Sequence, residues 1–134
     1  MKIPVNRVDL VRLWHAAGWL GLVLALALSL LPPAFADSGA NSDKLHHFLG
    51  YAMLMFWWAQ LARQRWKLAL AVLLFSGAIE LLQGLTPQRQ PDLLDLAANS
   101  GGVMLGWLAA RVLDLSPIRG SLPRYLAALP ATRR

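Results

Sequence analysis

The sequence predicts an all-α integral membrane protein, a bundle of four transmembrane helices with both termini in the cytoplasm. Hydrophobic residues make up 57% of the 134-residue chain and charged residues only 15%, which departs from the usual composition of soluble proteins. The apolar residues gather in four long runs without the alternation that marks strands. About 20 apolar residues suffice for a helix to cross a bilayer, so runs of this length predict membrane-spanning helices. A soluble bundle of deeply buried helices is the alternative.

The apolar runs divide the chain. They cover residues 13–31, 45–62, 68–85 and 93–110. Pro32 and Pro33 end the first run, because proline lacks the amide hydrogen that would continue a helix. We expect one four-helix transmembrane domain over residues 1–112. The remaining segment, 113–134, is basic and interrupted by prolines, and we expect it to form a cytoplasmic tail without a long helix.

The first apolar run allows two interpretations. A basic start, an apolar stretch and the sequence Ala34-Phe35-Ala36 before Asp37 are also features of a cleavable secretory signal. The hydrophobic part of such signals is typically about 7–15 residues long, and this run is longer. We therefore expect the first helix to be retained as a membrane anchor.

Basic residues are distributed unequally between the two ends of the predicted helices. With four crossings, the N-terminal segment, the turn at 63–67 and the tail share one side, which carries eleven Lys or Arg residues. The other side carries only Lys44 and Arg89. Because cytoplasmic loops are enriched in Lys and Arg, the first side is predicted to be cytoplasmic.

The net charge of +6 and the pI near 10.8 have the same explanation. The basic residues lie between apolar runs, and no stretch combines them with a recognisable nucleic-acid-binding module, so we expect no nucleic acid partner. Cysteine is absent, which excludes disulfides, thiolate catalysis and cysteine-based metal sites.

Polar residues interrupt the apolar sequence in three segments, residues 42–51, 79–83 and 89–99. Ionisable groups inside membrane-spanning segments are costly, so they require a structural or functional reason. In the predicted topology these segments begin the second helix, end the third, and form the loop and first turns of the fourth. All three then lie at the extracytoplasmic end of the bundle, and we expect them to form one site.

Helical spacing predicts which side chains of the second helix face the bundle. Asp43, His47 and Tyr51 follow one another at i, i+4 and i+8 and therefore share a face. His46 lies about 100° around the helix from His47. We expect His47 to be the inward imidazole.

The third and fourth helices carry similar polar faces. Glu80 and Gln83 share a face at i and i+3, and so do Asp92, Asp95 and Asn99 at i, i+3 and i+7. Because Glu80 lies inside an apolar run, we expect it to face the bundle and to be protonated or paired with a basic residue, namely Arg89, Lys44 or His47.

Small residues follow the polar face of the fourth helix. Ala98, Gly102 and Gly106 repeat every four residues, the spacing of close helix–helix contacts in membranes. This face is predicted to pack tightly against a neighbouring helix.

The clustered side chains support more than one kind of chemistry. The predicted ligand-binding residues are Asp43, Lys44, His47, Tyr51, Glu80, Gln83, Arg89, Asp95 and Asn99. If the site is catalytic, the acid–base candidates are His47, Glu80 and Asp95. The spacing matches no established metal motif, and the carboxylates that would bind a cation are Asp43, Glu80, Asp92 and Asp95. Helix capping or a self-contained ion-pair network would explain the same residues without a ligand. The sequence does not identify a cofactor.

The order of these residues resembles the VanZ-like family of small bacterial membrane proteins. The resemblance covers roughly residues 10–110 and rests on the pattern Asp43-Lys44-x-x-His47-Phe48-x-x-Tyr51, Glu80-x-x-Gln83, Pro87-x-Arg89, Asp95-x-x-x-Asn99, Gly102 and Gly106. It implies a multi-pass protein of the bacterial inner (cytoplasmic) membrane. The family takes its name from a protein associated with resistance to the glycopeptide teicoplanin, so it also implies a link to glycopeptide resistance, without an assigned reaction.

Three functional hypotheses follow. In the first, the outer polar pocket binds a membrane lipid headgroup, a lipid-linked cell-wall precursor or a lipoglycopeptide. In the second, the protein is an intramembrane acid–base or metal-assisted hydrolase or transferase that acts on a lipid-linked substrate. The third, a small proton-coupled transporter, depends on Glu80 alone, because the inner halves of the helices lack polar residues that would continue a proton path.

Overall fold

The computed structural model describes residues 7–30, 40–85, 92–113 and 115, and within these ranges the chain is helical with short connections and no strand. The four helices are α1 (Arg7–Leu30), α2 (Ala40–Ala59), α3 (Arg65–Gly84) and α4 (Leu93–Val112). Each corresponds to one apolar run, so the predicted four-helix bundle is confirmed. Two expectations, the signal cleavage sequence and the tail beyond residue 115, lie outside the described residues.

Three of the helices are long and apolar enough to cross a membrane by length and composition: Val8–Leu30, Arg65–Gly84 and Leu93–Val112. Helix α2 is not among them, because its first two turns carry Asp43, Lys44, His46 and His47. Its outward surface is nevertheless apolar. Leu45, Leu49 and Met53, which lie at i, i+4 and i+8, are 54%, 46% and 72% exposed. A stripe of this kind is favourable against lipid and unfavourable against water.

Helices α2 and α4 form the most extensive interface of the bundle. The repeat predicted from Ala98, Gly102 and Gly106 provides it. A Cβ atom added at Gly102 would overlap the carbonyl oxygen of Phe48, and one at Gly106 would overlap that of Ala52. The absence of a side chain at these two positions therefore lets the two backbones touch, which brings the polar residues of α2 and α4 within bonding distance.

Helix α1 packs against α2 and α3 through a few specific contacts. The rings of Trp14 and Trp57 are stacked with centroids 4.0 Å apart. Each indole N–H also donates to the backbone carbonyl of the other residue, at 3.3 Å from Trp14 and 3.0 Å from Trp57. At the other end of α1, Gln83 Nε2 donates to the carbonyl oxygen of Ser29 at 2.6 Å. These bonds hold α1 to the bundle at both ends.

The C-terminal end of α4 is held by Gln60, which is completely buried. Its Nε2 donates to the Leu113 carbonyl at 3.0 Å, and its Oε1 accepts from the Leu115 amide at 2.9 Å. Gln60 thereby satisfies backbone groups that the end of a helix leaves without partners. The glutamine fixes where α4 ends relative to α2.

Candidate functional site

The three polar segments meet at one end of the bundle. Consecutive helices run in opposite directions, so the beginning of α2, the end of α3 and the beginning of α4 lie together. Side chains of α2 bond to α4, and side chains of α4 and α3 bond to each other. We call this cluster the polar end site; it comprises Asp43, Lys44, His47, Tyr51, Ser76, Glu80, Asp92, Asp95 and Asn99.

Lys44 connects α2 to the first turn of α4. Its Nζ lies 2.8 Å from Asp92 Oδ2 and 3.1 Å from Asp95 Oδ1. Asp92 also caps α4, because its Oδ1 accepts from the Leu94 amide at 2.8 Å. A phosphate that approached Lys44 would have to compete with two carboxylates for the ammonium group.

His47 begins a chain of hydrogen bonds through the interior. Its Nδ1–H donates to Asn99 Oδ1 at 3.1 Å, and Asn99 Nδ2 donates to Ser76 Oγ at 2.8 Å. Asn99 and Ser76 are 1% and 0% exposed. Hydrogen bonds satisfy these buried polar groups, so the chain orients His47 and ties α2, α3 and α4 together.

Glu80 is a buried carboxylate, 8% exposed, near the end of α3. Its Oε1 accepts from the Asp92 amide at 2.7 Å, one of the amides at the beginning of α4. Its Oε2 is buried and has no hydrogen-bond partner among the described residues. A buried polar atom without a partner is costly, so Oε2 is an acceptor that a hydrogen-bond donor entering the site would satisfy.

Asp43, His47 and Asp95 each have a candidate ligand atom, and these three atoms lie within 4.8 Å of one another. His47 is bonded to Asn99 through Nδ1, so in its neutral form the lone pair is on Nε2. That nitrogen lies 4.0 Å from Asp95 Oδ2, which is too far for a hydrogen bond. The three residues form an oxygen-rich group that is able to hold a divalent cation.

The other predicted site residues have different positions. Gln83 bonds to α1 through the Ser29 carbonyl, so its amide holds two helices together. Four carboxylates were named as possible cation ligands. Two of them, Asp43 and Asp95, have atoms close to a ring nitrogen of His47. The carboxylate of Glu80 instead accepts a hydrogen bond from the backbone amide of Asp92. Arg89 lies outside the described residues. His46 is exposed and His47 is inward, as the helical spacing predicted.

Two features of the polar end site did not emerge from the sequence. Ser76 is an ordinary residue in an apolar run, and only its position opposite Asn99 gives it a part in the network. Its spacing from Glu80, i and i+4, was the available signal, because it places both on one face of α3. His47 was not named as a cation ligand: it shares a face of α2 with Asp43, but only the packing of α4 brings Asp95 close to both.

The described residues of the polar end site include more acidic than basic side chains. Among the described residues it contains four carboxylates, Asp43, Glu80, Asp92 and Asp95, and one ammonium group, that of Lys44. The hydrogen bonds from Lys44 and from the Leu94 amide hold the pKa of the Asp92 carboxyl below its usual value. The site therefore favours groups that donate hydrogen bonds, such as hydroxyl, amide and ammonium groups, or a metal cation.

The fold and this site define a small helical membrane protein with a buried polar network at one end of its bundle. A family model described as VanZ/LLP1 matches residues 9–114. The match covers most of the chain, and the chain belongs to this family. No curated protein and no solved structure shows significant similarity to it.

Proposed function

We propose that this protein binds the headgroup of a lipid-linked ligand at the extracytoplasmic face of the bacterial inner membrane. The ligand class is a membrane lipid, a lipid-linked cell-wall precursor or a lipoglycopeptide whose headgroup is rich in hydroxyl, amide or ammonium groups. The supporting observation is the Oε2 atom of Glu80, a buried acceptor without a partner among the described residues.

The arrangement around Glu80 supports a binding role. One oxygen of its carboxylate is fixed by the Asp92 amide, so the other is held in a constant direction. Lys44 and Asp95, which both lie close to Asp92, form a short ion pair with each other. A headgroup that donates a hydrogen bond to a preorganised, desolvated carboxylate gains more than it would from an acceptor in water. The apolar helix surfaces would hold the acyl chain of the same ligand.

The test is native mass spectrometry of the protein released from mild detergent, with the bound molecules identified by fragmentation. Glu80→Gln is the informative variant. Its amide oxygen still accepts from the Asp92 amide, but an –NH₂ donor then replaces the free acceptor. Asp9→Asn is the matched control, because it removes a carboxylate on α1 that pairs only with Arg12 among the described residues.

We expect one headgroup class to be enriched over the bulk lipid on the unmodified protein and on Asp9→Asn. Occupancy should fall about tenfold or more in Glu80→Gln, since hydrogen bonds to charged groups are worth roughly 1.5–3 kcal/mol. Retention of bulk lipid alone, in equal amounts on all three proteins, would refute the proposal. If the ligand is a lipoglycopeptide, cells that express the protein will also differ from control cells in their susceptibility to it.

The convergence of Asp43, His47 and Asp95 favours a second candidate, a metal-assisted hydrolase or transferase acting on the same kind of lipid-linked substrate. The cation would polarise a phosphoryl or carbonyl oxygen, and Glu80 would be the nearby acid or base. Metal analysis of protein dialysed against Zn²⁺, Mn²⁺ or Mg²⁺ tests it. Stoichiometric metal that is lost in Asp43→Asn and kept in Asp9→Asn supports this candidate. Absence of metal, together with no turnover of lipid-linked phosphates, excludes it.

A further inference from the structure

The opposite end of the bundle contains a cavity. It has a volume of about 370 Å³ and lies where α3 begins and α4 ends; its lining residues are Arg63, Gln64, Arg65, Trp66, Trp107 and Arg111. These residues are separated from the polar end site by the length of the helices. None of them was a predicted site residue.

The lining of this cavity is positively charged. Three of its six residues are arginines, and no carboxylate among the described residues lines it. Arg65 is oriented by the bond from its Nε to the Ala59 carbonyl at 3.2 Å. The guanidinium group of Arg111 lies 5.4 Å from the ring centroid of Trp107, a cation–π contact that holds it at the cavity wall. Several guanidinium groups around one concave space create a positive potential that attracts anions.

The beginning of α3 adds to this potential. Its N-cap residue is Gln64, whose side chain makes no capping hydrogen bond. The first amides of this 20-residue helix therefore have no capping side chain. The positive end of the α3 dipole lies at the same end of the helix as the cavity. This contribution adds to the larger positive potential of the arginines.

An apolar surface continues from the cavity along α3. Trp66, Leu70 and Leu74 follow at i, i+4 and i+8 and are 57%, 52% and 65% exposed. They form a stripe that starts at the cavity and runs toward the middle of the bundle. Tryptophan at the beginning of such a stripe is typical of the membrane–water interface. A molecule with a negative headgroup and an acyl chain fits both the cavity and the stripe.

We propose that this cavity binds the phosphate group of an anionic ligand, with the phosphodiester headgroup of an anionic phospholipid as the source that the apolar stripe favours. Free phosphate offers the same chemistry without the chain. Basic cavities between transmembrane helices at the cytoplasmic side suit such headgroups. The inference does not depend on the function of the polar end site.

The test is a titration of the purified full-length protein in nonionic detergent, followed by tryptophan fluorescence and native mass spectrometry. The probes are short-chain phosphatidylglycerol, short-chain phosphatidylcholine and sodium phosphate. Arg63→Gln combined with Arg111→Gln removes two charges from the lining. Arg7→Gln combined with Arg12→Gln is the matched control, because it removes two positive charges from α1, and neither residue is among those that line the cavity.

We expect phosphatidylglycerol to bind at least about tenfold more tightly than phosphatidylcholine. The Arg63/Arg111 double variant should bind phosphatidylglycerol about 30-fold more weakly. Each basic residue next to an anionic lipid contributes roughly 1 kcal/mol, and two residues correspond to that loss of affinity. The control should lose less than about threefold. Sodium phosphate that displaces the lipid at equal concentration would identify free phosphate as the source, whereas weak displacement would identify the lipid. Equal affinity for the two lipids, or an equal loss in the control variant, would overturn the proposal.

Discussion

The Nδ1–H group of His47 on α2 donates to Oδ1 of Asn99 on α4 at 3.1 Å, across the tightest interface of the bundle. This bond fixes the direction of the imidazole, whose Nε2 lies 4.0 Å from Asp95 Oδ2. It exists because Gly102 and Gly106, on the same helix as Asn99, allow α2 to approach. The packing of α2 against α4 therefore also sets the orientation of side chains in the polar end site. Mutations can test both the packing and the orientation.

Asn99→Leu tests the energetic role of this bond. Leucine has nearly the same size but leaves His47 Nδ1 and Ser76 Oγ without their partner in a buried place. We expect a loss of about 1–2 kcal/mol in the free energy of unfolding, measured by SDS titration with tryptophan fluorescence. Ser100→Ala is the control, since among the described residues the exposed Ser100 hydroxyl bonds only to its own helix, at the Leu96 carbonyl. Equal stability of Asn99→Leu and Ser100→Ala would contradict a structural role for the network.

Gly102→Ala tests the close approach of α2 and α4. The added methyl group would overlap the Phe48 carbonyl, and only a backbone shift relieves the overlap. We expect a loss of about 1–3 kcal/mol, the usual cost of overpacking, together with a lower Tm in detergent. Gly50→Ala is the matched control on α2, because no described residue from another part of the bundle lies within 4 Å of its added Cβ. Equal melting temperatures for the two alanine variants would contradict the close backbone contact between Gly102 and Phe48.

The Lys44–Asp92 ion pair predicts that the stability of the fold depends on pH. The pKa of Asp92 is lower in the folded protein than its ordinary value of 3.8, first through the Lys44 bond and then through the Leu94 amide. A carboxyl of this kind stabilises the fold above its unfolded pKa, and the contribution is lost as the pH falls through the lower, folded pKa. The loss therefore occurs below pH 3.8.

Lys44→Met removes the larger cause of this shift. We expect the pKa of Asp92 to rise toward 3.8 in the variant, although the Leu94 amide keeps it from rising fully. The measurement is the ¹³C carboxyl titration of labelled aspartate in detergent. Arg12→Met, which removes a cation from α1, should leave the titration of Asp92 unchanged. An unaltered Asp92 titration in Lys44→Met would show that the ion pair does not persist in solution.

The absence of cysteine makes the predicted topology directly testable. Single cysteines at Ser38, Gln64 and Gln90 are labelled in intact cells with a membrane-impermeant maleimide. We expect labelling at 38 and 90 but not at 64, because basic residues cluster around Gln64 and favour the cytoplasm. Labelling of all three after lysis serves as the control. Labelling at 64 alone in intact cells would invert the orientation and place the polar end site in the cytoplasm.

The sequence by itself determined the four helices, and it also determined the membrane as their environment. An apolar run of transmembrane length has few alternatives to a helix, since in lipid every backbone polar group must form its hydrogen bond within the structure. Local spacing also predicted that His47 faces inward and His46 outward, and it predicted the small-residue face of α4. These features depend on residues within a few positions of one another in the sequence. Helical geometry alone determines which of those residues share a face.

Only the tertiary structure decided which side chains meet. Lys44 pairs with Asp92 and Asp95, Gln83 bonds to α1, and Ser76 joins the network of Asn99. Each contact joins different helices, so it depends on their relative rotation and depth, which spacing within one helix does not specify. The backbone contact at Gly102 and Gly106 sets these quantities for α2 and α4. The convergence of Asp43, His47 and Asp95 is a result of that packing.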